Sequence, residues 1–191
     1  GPDWSAVHGV DAAGYQAAFD RAAAAGYHAT ILSVAGSSAN PGFAGTFEKR
    51  DGPIPLTRFG LRSGSVSDVD TIQHWDAEAH EHGWIMTSGA IYGEPDSPRY
   101  AGIWPHNLRK LAWSAEGLAE SHTNYQRRFE IQTSGWARPH LVTLDGPDRY
   151  LSIFTDDQVG RWTARHGMTS EAYQAEFDQL VPQGFYPICV Q

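Results

Sequence analysis

Apolar side chains along this chain follow two periods in turn, about 3.6 residues and then two, and the alternation recurs. Near the end of the chain Tyr173, Phe177 and Leu180 stand four and three residues apart, one stripe of an amphipathic helix. Thr169 or Ser170 caps that helix, and Glu171 places a negative charge in its first turn, where the helix dipole favours it. Gly184 ends it in the left-handed conformation that glycine adopts cheaply, and Phe185 folds back on the last turn. Tyr186 to Val190 then reads as a strand. The same stripe appears as Tyr15, Phe19 and Ala22 after Asp11, closed by Gly26-Tyr27. It returns as Tyr125 and Phe129, closed by Gly135-Trp136. A looser version, capped by Ser67, is Val69, Ile72, Trp75 and Ala79, closed by Gly83-Trp84.

After each of the first three glycine–aromatic pairs come two short apolar runs. The first runs are Ala29 to Val34, Ile85 to Tyr92 and His140 to Leu144, each ending near a turn glycine. The second are Phe43 to Phe47, Tyr100 to Trp104 and Tyr150 to Phe154. Two runs around a turn predict a hairpin, so the unit is αββ. With the glycine–aromatic pairs roughly 50 residues apart, the chain reads as three and a half tandem copies. Their approximate limits are 4–55, 56–111, 112–161 and 162–191, within one domain spanning 1–191. The first copy has no strand before its helix in this reading. The fold class expected is α+β, with pseudo-symmetric units packed on one another, as a closed ring or an open solenoid, because a lone αββ unit cannot bury its own faces. The four aromatics Tyr27, Trp84, Trp136 and Phe185 are expected to be largely buried in equivalent places.

Composition narrows the class. Of 191 residues 41% are hydrophobic and seven are Trp, which excludes disorder. The net charge of −8, with no basic cluster, argues against nucleic acid as a partner. No apolar run approaches the ~20 residues that span a bilayer. A single cysteine, Cys189, excludes an internal disulfide and a cysteine-based zinc site, and its apolar setting predicts a buried, inert thiol. The opening Gly1-Pro2 has the form of a cleaved tag remnant, so an extracytoplasmic location with a leader removed is the expectation.

One pattern is shared with a known family. It stands here as Trp162-x-x-x-His166-Gly167, then Tyr173-Gln174-x-x-Phe177-Asp178, then Gln183-Gly184-Phe185. The chain resembles the bacterial tandem-repeat family that is also similar to the N-terminal half of fungal polyglycine hydrolases. The resemblance covers essentially the whole chain and is weakest in the second copy. It implies an accessory module: in those hydrolases a separate domain, similar to serine β-lactamases, carries the nucleophile. The Ser-x-x-Lys that such a domain needs is missing, since Lys49 and Lys110 are preceded three residues earlier by Thr46 and Asn107. A Gly-x-Ser-x-Gly elbow is also missing.

Residues that repeat are read as scaffold. Gln16, Gln73, Gln126 and Gln174, and the acids Asp20, Asp76, Glu130 and Asp178, are expected to bond between copies. His8 and His166, with Glu116 in their place in the third copy, orient the loop before the helix. Function is sought where copies differ. On the second helix Asp76 with His80, and Glu78 with His82, are spaced to offer two ligands per face, which falls short of a closed metal site. No metal and no cofactor is therefore expected. The other deviations are His106, His122 and His140 with Arg99, Arg149, Asp145 and Asp148. Arg99-Tyr100 and Arg149-Tyr150 begin equivalent strands, so both arginines are expected to border one cleft. The ligand-binding set is Arg99, Tyr100, His106, His140 and Arg149. The first reading of function is a non-catalytic recognition module for a small molecule, peptide or glycan. The second is a cofactor-independent hydrolase, lyase or cyclase using His and Asp as acid and base.

Overall fold

Every complete repeat begins with a strand that its apolar pattern did not announce. The computed structural model describes residues 1–117, 125–145, 149–165, 167–188 and 190. The first unit is β1 (Trp4–Val10), α1 (Ala12–Ala24), β2 (Tyr27–Gly36) and β3 (Pro41–Lys49). The second is β4 (Leu56–Leu61), α2 (Ile72–His82), β5 (Ser88–Glu94) and β6 (Ser97–Trp104). The third is β7 (Trp113–Glu116), α3 (Tyr125–Gly135), β8 (Arg138–Asp145) and β9 (Arg149–Thr155). Then come α4 (Ser170–Leu180) and a short 3₁₀ turn, Val181–Gln183. The expected αββ unit is therefore corrected to βαββ. β1 escaped notice because it is an edge strand with no buried residue, so it carries little alternation.

The three sheets share one antiparallel order: β1-β3-β2, β4-β6-β5 and β7-β9-β8. The last strand of each unit thus lies between the other two. At its centre stands Gly45, Gly102 or Ser152. A Cβ at Gly45 would come within 2.9 Å of the Tyr15 ring and 3.0 Å of the Ile31 carbonyl oxygen, so α1 reaches its sheet only over a small residue. Tyr15 stacks there on Phe43 and Phe47, at 5.5 and 6.1 Å between ring centres.

The sheets stack in chain order, β2 against β5 and β5 against β8. One core cluster joins Tyr15, Leu32 and Phe43 to Ala90, Tyr92 and Ile103 of the next unit. A second joins Ile72, Met86 and Trp104 to Leu141, Leu151 and Ile153. Inside the first junction the Ser88 hydroxyl accepts from the Leu32 N–H at 3.0 Å and donates to the Leu32 carbonyl at 3.3 Å. A buried hydroxyl is thereby satisfied across the joint.

Several local expectations change. Thr71, whose side chain accepts from the His74 N–H, caps α2 in place of Ser67, and Val69 is exposed. Trp136 is 50% exposed, and Tyr27, Trp84 and Phe185 are only partly buried, because each sits at the rim where its helix meets its sheet. The repeated glutamines make bonds within their own units. Gln16, Gln126 and Gln174 each donate at 2.8 Å to the acid four residues on, Asp20, Glu130 and Asp178, on their own helices. Gln73 instead accepts from the Gly64 N–H and donates to Ser63. Spacing of four satisfies these groups locally before any neighbour can.

In the fourth stretch, no strand forms among the described residues 162–190, so the strand expected over Tyr186 to Val190 is not present. Cys189 and His166 lie outside the described residues.

Two glycines make opposite predictions. Gly184 has φ +85°, whereas Gly135 is inside α3 and its φ is not positive. Gly184→Val is expected to cost about 1–2 kcal/mol through left-handed strain. Gly135→Ala is expected to add about 0.5–1 kcal/mol by removing backbone freedom. Urea titrations of the two variants check both signs.

Candidate functional site

The five residues expected to share one site fall at two ends of the sheets. Arg99 and Arg149 lie at the hairpin-turn end. Arg149 pairs with Asp145 and donates to the carbonyls of Glu94 at 3.0 Å and Gly93 at 3.3 Å. The Glu94 carboxylate accepts from the Ser38 N–H at 3.2 Å, and bonds from the Ser38 side chain first, then from the Glu94 and Ser38 backbone, hold its pKa below the ordinary carboxylate range. Three consecutive units are tied here in one line. Arg99 bonds locally, to the Ser97 carbonyl and hydroxyl and the Pro98 carbonyl. Tyr100 is buried in the core, and burial raises its phenol pKa, opposed by Arg149.

His106 lies two residues past the far end of β6, about 20 Å along the strand from Arg99 at the usual rise. It edges onto Trp84, at 6.4 Å between ring centres, and forms an isolated bridge with it. Trp84 also stacks with His82, at 5.0 Å between ring centres. Two residues back on α2, His80 lies flat on Trp113 at 3.8 Å and 8°. Burial against that ring lowers the His80 pKa. The segment carrying His106 is pinned: the Asn107 N–H donates to Gly83, and the Asn107 side chain both donates to and accepts from Leu111. The exposed His80, His82, His106, Arg109 and Lys110 form a His–Trp shelf about the C-terminal end of α2, with the His80–Trp113 and His82–Trp84 pairs on different faces of the helix.

Behind the shelf is a buried ion pair. Arg138 grips Asp157 with two parallel bonds, Nε to Oδ1 at 2.6 Å and Nη2 to Oδ2. Their side chains are 10% and 3% exposed. Arg109 donates to the Asp157 carbonyl at 3.2 Å. His140 is partly buried beside this group. Burial lowers its pKa, Arg138 and Arg109 lower it further, and Asp157 opposes them. Arg138 and Asp157 were not singled out by sequence. The signal was available: Arg138 stands where the other units have Ala29 and Met86, both buried. His122 and Asp148 lie outside the described residues.

His140 gives a prediction with a definite sign. Its folded pKa lies below the ordinary value near ~6.5, so the unfolded chain binds the proton more tightly. The stability associated with its neutral form is complete above that value and is lost as pH falls through the folded pKa. Thermal melts between pH 8 and 5 should show a decline that His140→Gln reduces; parallel curves would refute the assignment.

A recess of about 280 Å³ lies between α1 and residues 54–59. Its titratable groups are Tyr15, pushed up to about 12 by burial, and Arg58, which rests on the Trp75 ring at 4.2 Å. Neither exchanges a proton near neutrality. Among the described residues, no group of three or more His, Cys, Asp or Glu is arranged to hold a metal ion. Among the described residues, no helix is long and apolar enough to cross a membrane.

Compared with protein-family models, the chain matches the polyglycine hydrolase-like structural repeat over residues 1–50, 69–107 and 159–191. These stretches include 69–107 of the second unit, where the sequence pattern is loosest, and leave out the third unit.

Proposed function

Because the chain belongs to the polyglycine hydrolase-like structural-repeat family, we propose that it is a non-catalytic recognition module whose peptide, glycan or small-molecule ligand sits on the His–Trp shelf. His82, Trp84 and His106 meet the ligand, with His140 beneath them. At the other end Arg149 and Tyr100 help to join the units, while Arg99 bonds within its own hairpin. The observation that carries this reading is the pair of imidazole–indole stacks, His80 on Trp113 and His82 on Trp84, presented on an exposed edge. Flat aromatic faces with polar tips suit sugar rings and peptide side chains.

The acid–base enzyme is the weaker reading. His140 needs a free carboxylate partner, and both oxygens of Asp157 are already engaged by Arg138. The test is a panel of immobilised peptides and glycans probed with the native protein and with the His82→Ala/His106→Ala variant. Binding should fall about tenfold or more in the variant, with little change in melting temperature. Oligoglycine incubated with the native protein should remain uncut. Turnover of any panel compound that disappears in His106→Ala or His140→Ala would replace the recognition reading with the enzymatic one.

A further inference from the structure

The recess between α1 and residues 54–59 has a cation on its wall that the fold alone does not require. Arg58 pairs with Gly102 across β4 and β6, the place that Val7 takes opposite Gly45 in the first unit and Glu116 opposite Ser152 in the third. Valine serves there, so the guanidinium is particular to the second unit. Arg58 is partly buried, its Nη1 donates to the Thr57 carbonyl at 2.8 Å, and its plane lies over the Trp75 ring. Among the described residues it forms no ion pair, and Nε and Nη2 have no acceptor. A charge drawn from water without a counter-charge is costly, and burial accordingly lowers its pKa. Two hydroxyls that line the same recess are also without partners among the described residues, those of Thr57 and of the fully buried Tyr15. Buried hydroxyls are ordinarily hydrogen-bonded. The Tyr15 phenol, pushed up to about 12 by burial, keeps its proton to donate. The rest of the lining is apolar. A bulge between Arg58 and Leu61 places the Phe59 ring edge-on to Tyr15 and Phe43, at 5.8 and 5.1 Å between centres, and Phe19 and Ile54 stand beside it.

We propose that this recess binds a small organic carboxylate, its acid group paired with Arg58 and its aromatic body set against Phe19 and Phe59. The donors decide the charge. Arg58 carries a fixed positive charge with donors to spare, and the Thr57 and Tyr15 hydroxyls offer two more, a set that suits an anion with several acceptor oxygens. The apolar lining decides the body. Inorganic phosphate would meet the donors and leave Phe19, Phe59 and Ile54 without contact, whereas an arylcarboxylate meets both. A volume of about 280 Å³ is at the small end for ligand pockets and suits one ring with a short acid arm. Because the wall comes from α1 of the first unit and β4 of the second, a bound acid also joins these two units and should raise the melting temperature. This site is separate from the His–Trp shelf and does not depend on it.

The test is calorimetric titration of the whole protein with benzoate and with 3-phenylpropanoate. At least one of them should bind at a single site, about tenfold or more tighter than benzyl alcohol, 3-phenylpropanol or inorganic phosphate. Arg58→Gln should weaken that binding about tenfold. Tyr15→Phe should weaken it about threefold without lowering the melting temperature of the ligand-free protein, because the hydroxyl it removes has no partner to lose. Tyr15→Phe also serves as the second variant if Arg58→Gln, deprived of its contact with Trp75, does not fold. The His82→Ala/His106→Ala variant should bind the acids as the native protein does, which keeps this site distinct from the shelf. Equal binding of the acids and the alcohols would overturn the proposal, as would failure of both acids to bind or acid binding unchanged in Arg58→Gln. Phosphate binding as tightly as the acids would mean a bare anion site and would overturn the assignment to an organic carboxylate.

Discussion

Replacing Asp157 by alanine is expected to destabilise the protein by about 3–5 kcal/mol, the usual cost of leaving one member of a buried ion pair without the other. The carboxylate takes two parallel bonds from Arg138, and both side chains are almost fully removed from water. Alanine would leave the guanidinium buried against a void, among residues that hold the connection 107–112 to the end of β9. That connection also loses its anchor if the local backbone shifts, because Arg109 bonds the Asp157 carbonyl and Ala112 bonds Asp156. The pair is not needed for folding as such. Equivalent positions to Arg138 are Ala29 and Met86, so an apolar residue fits the site. Arg138→Met with Asp157→Leu should therefore recover most of the loss. Urea titration followed by circular dichroism measures all three proteins, and a loss under about 1 kcal/mol for the single variant would contradict the burial described.

The second large effect is expected at Trp104. It is fully buried at the end of β6, over Gly102 and against Met86, in the cluster that joins the second unit to Leu141, Leu151 and Ile153 of the third. Trp104→Ala removes an indole from two units at once and should cost about 3–5 kcal/mol. Trp104→Phe keeps the ring in place and should cost less than about 1.5 kcal/mol. The indole N–H has no hydrogen-bond partner among the described residues, so little polar contact is lost in that exchange. Because stacked units couple through such contacts, Trp104→Ala should also broaden the transition, with the first unit melting apart from the third. A single sharp transition at the native midpoint would count against this joint.

Helices and hairpins were legible because their signals are local. Tyr15 to Ala22 and Tyr173 to Leu180 show their stripes, and Gly26, Gly83 and Gly184 do take positive φ. β1, β4 and β7 were not legible. β1 buries nothing, β4 has only Leu61 buried, and β7 is four residues long. Such strands exist because a central strand recruits them, a long-range cause that periodicity does not carry. The site was legible in residue type and not in place. Arg99 and His106 lie close in sequence, yet a strand carries them to opposite ends. The clamp of Arg149 on Glu94 spans 55 residues and has no local trace. Arg138 was the missed opportunity, since a charge at a position otherwise Ala and Met is visible once the units are aligned.

The placement of each unit's last strand at its middle has a consequence for synthesis. Trp4 pairs with Glu48, so β1 leaves the ribosome and waits, unpaired, until almost the whole unit has followed it. At about 5–20 residues per second this interval lasts a few seconds. Each unit then closes in one step when β3, β6 or β9 emerges. Because these three strands carry nearly the same pattern, an open unit is exposed meanwhile to capture by the wrong one, from this chain or from a neighbouring nascent chain. Slower translation lengthens the interval, and domain-swapped by-products should increase with it.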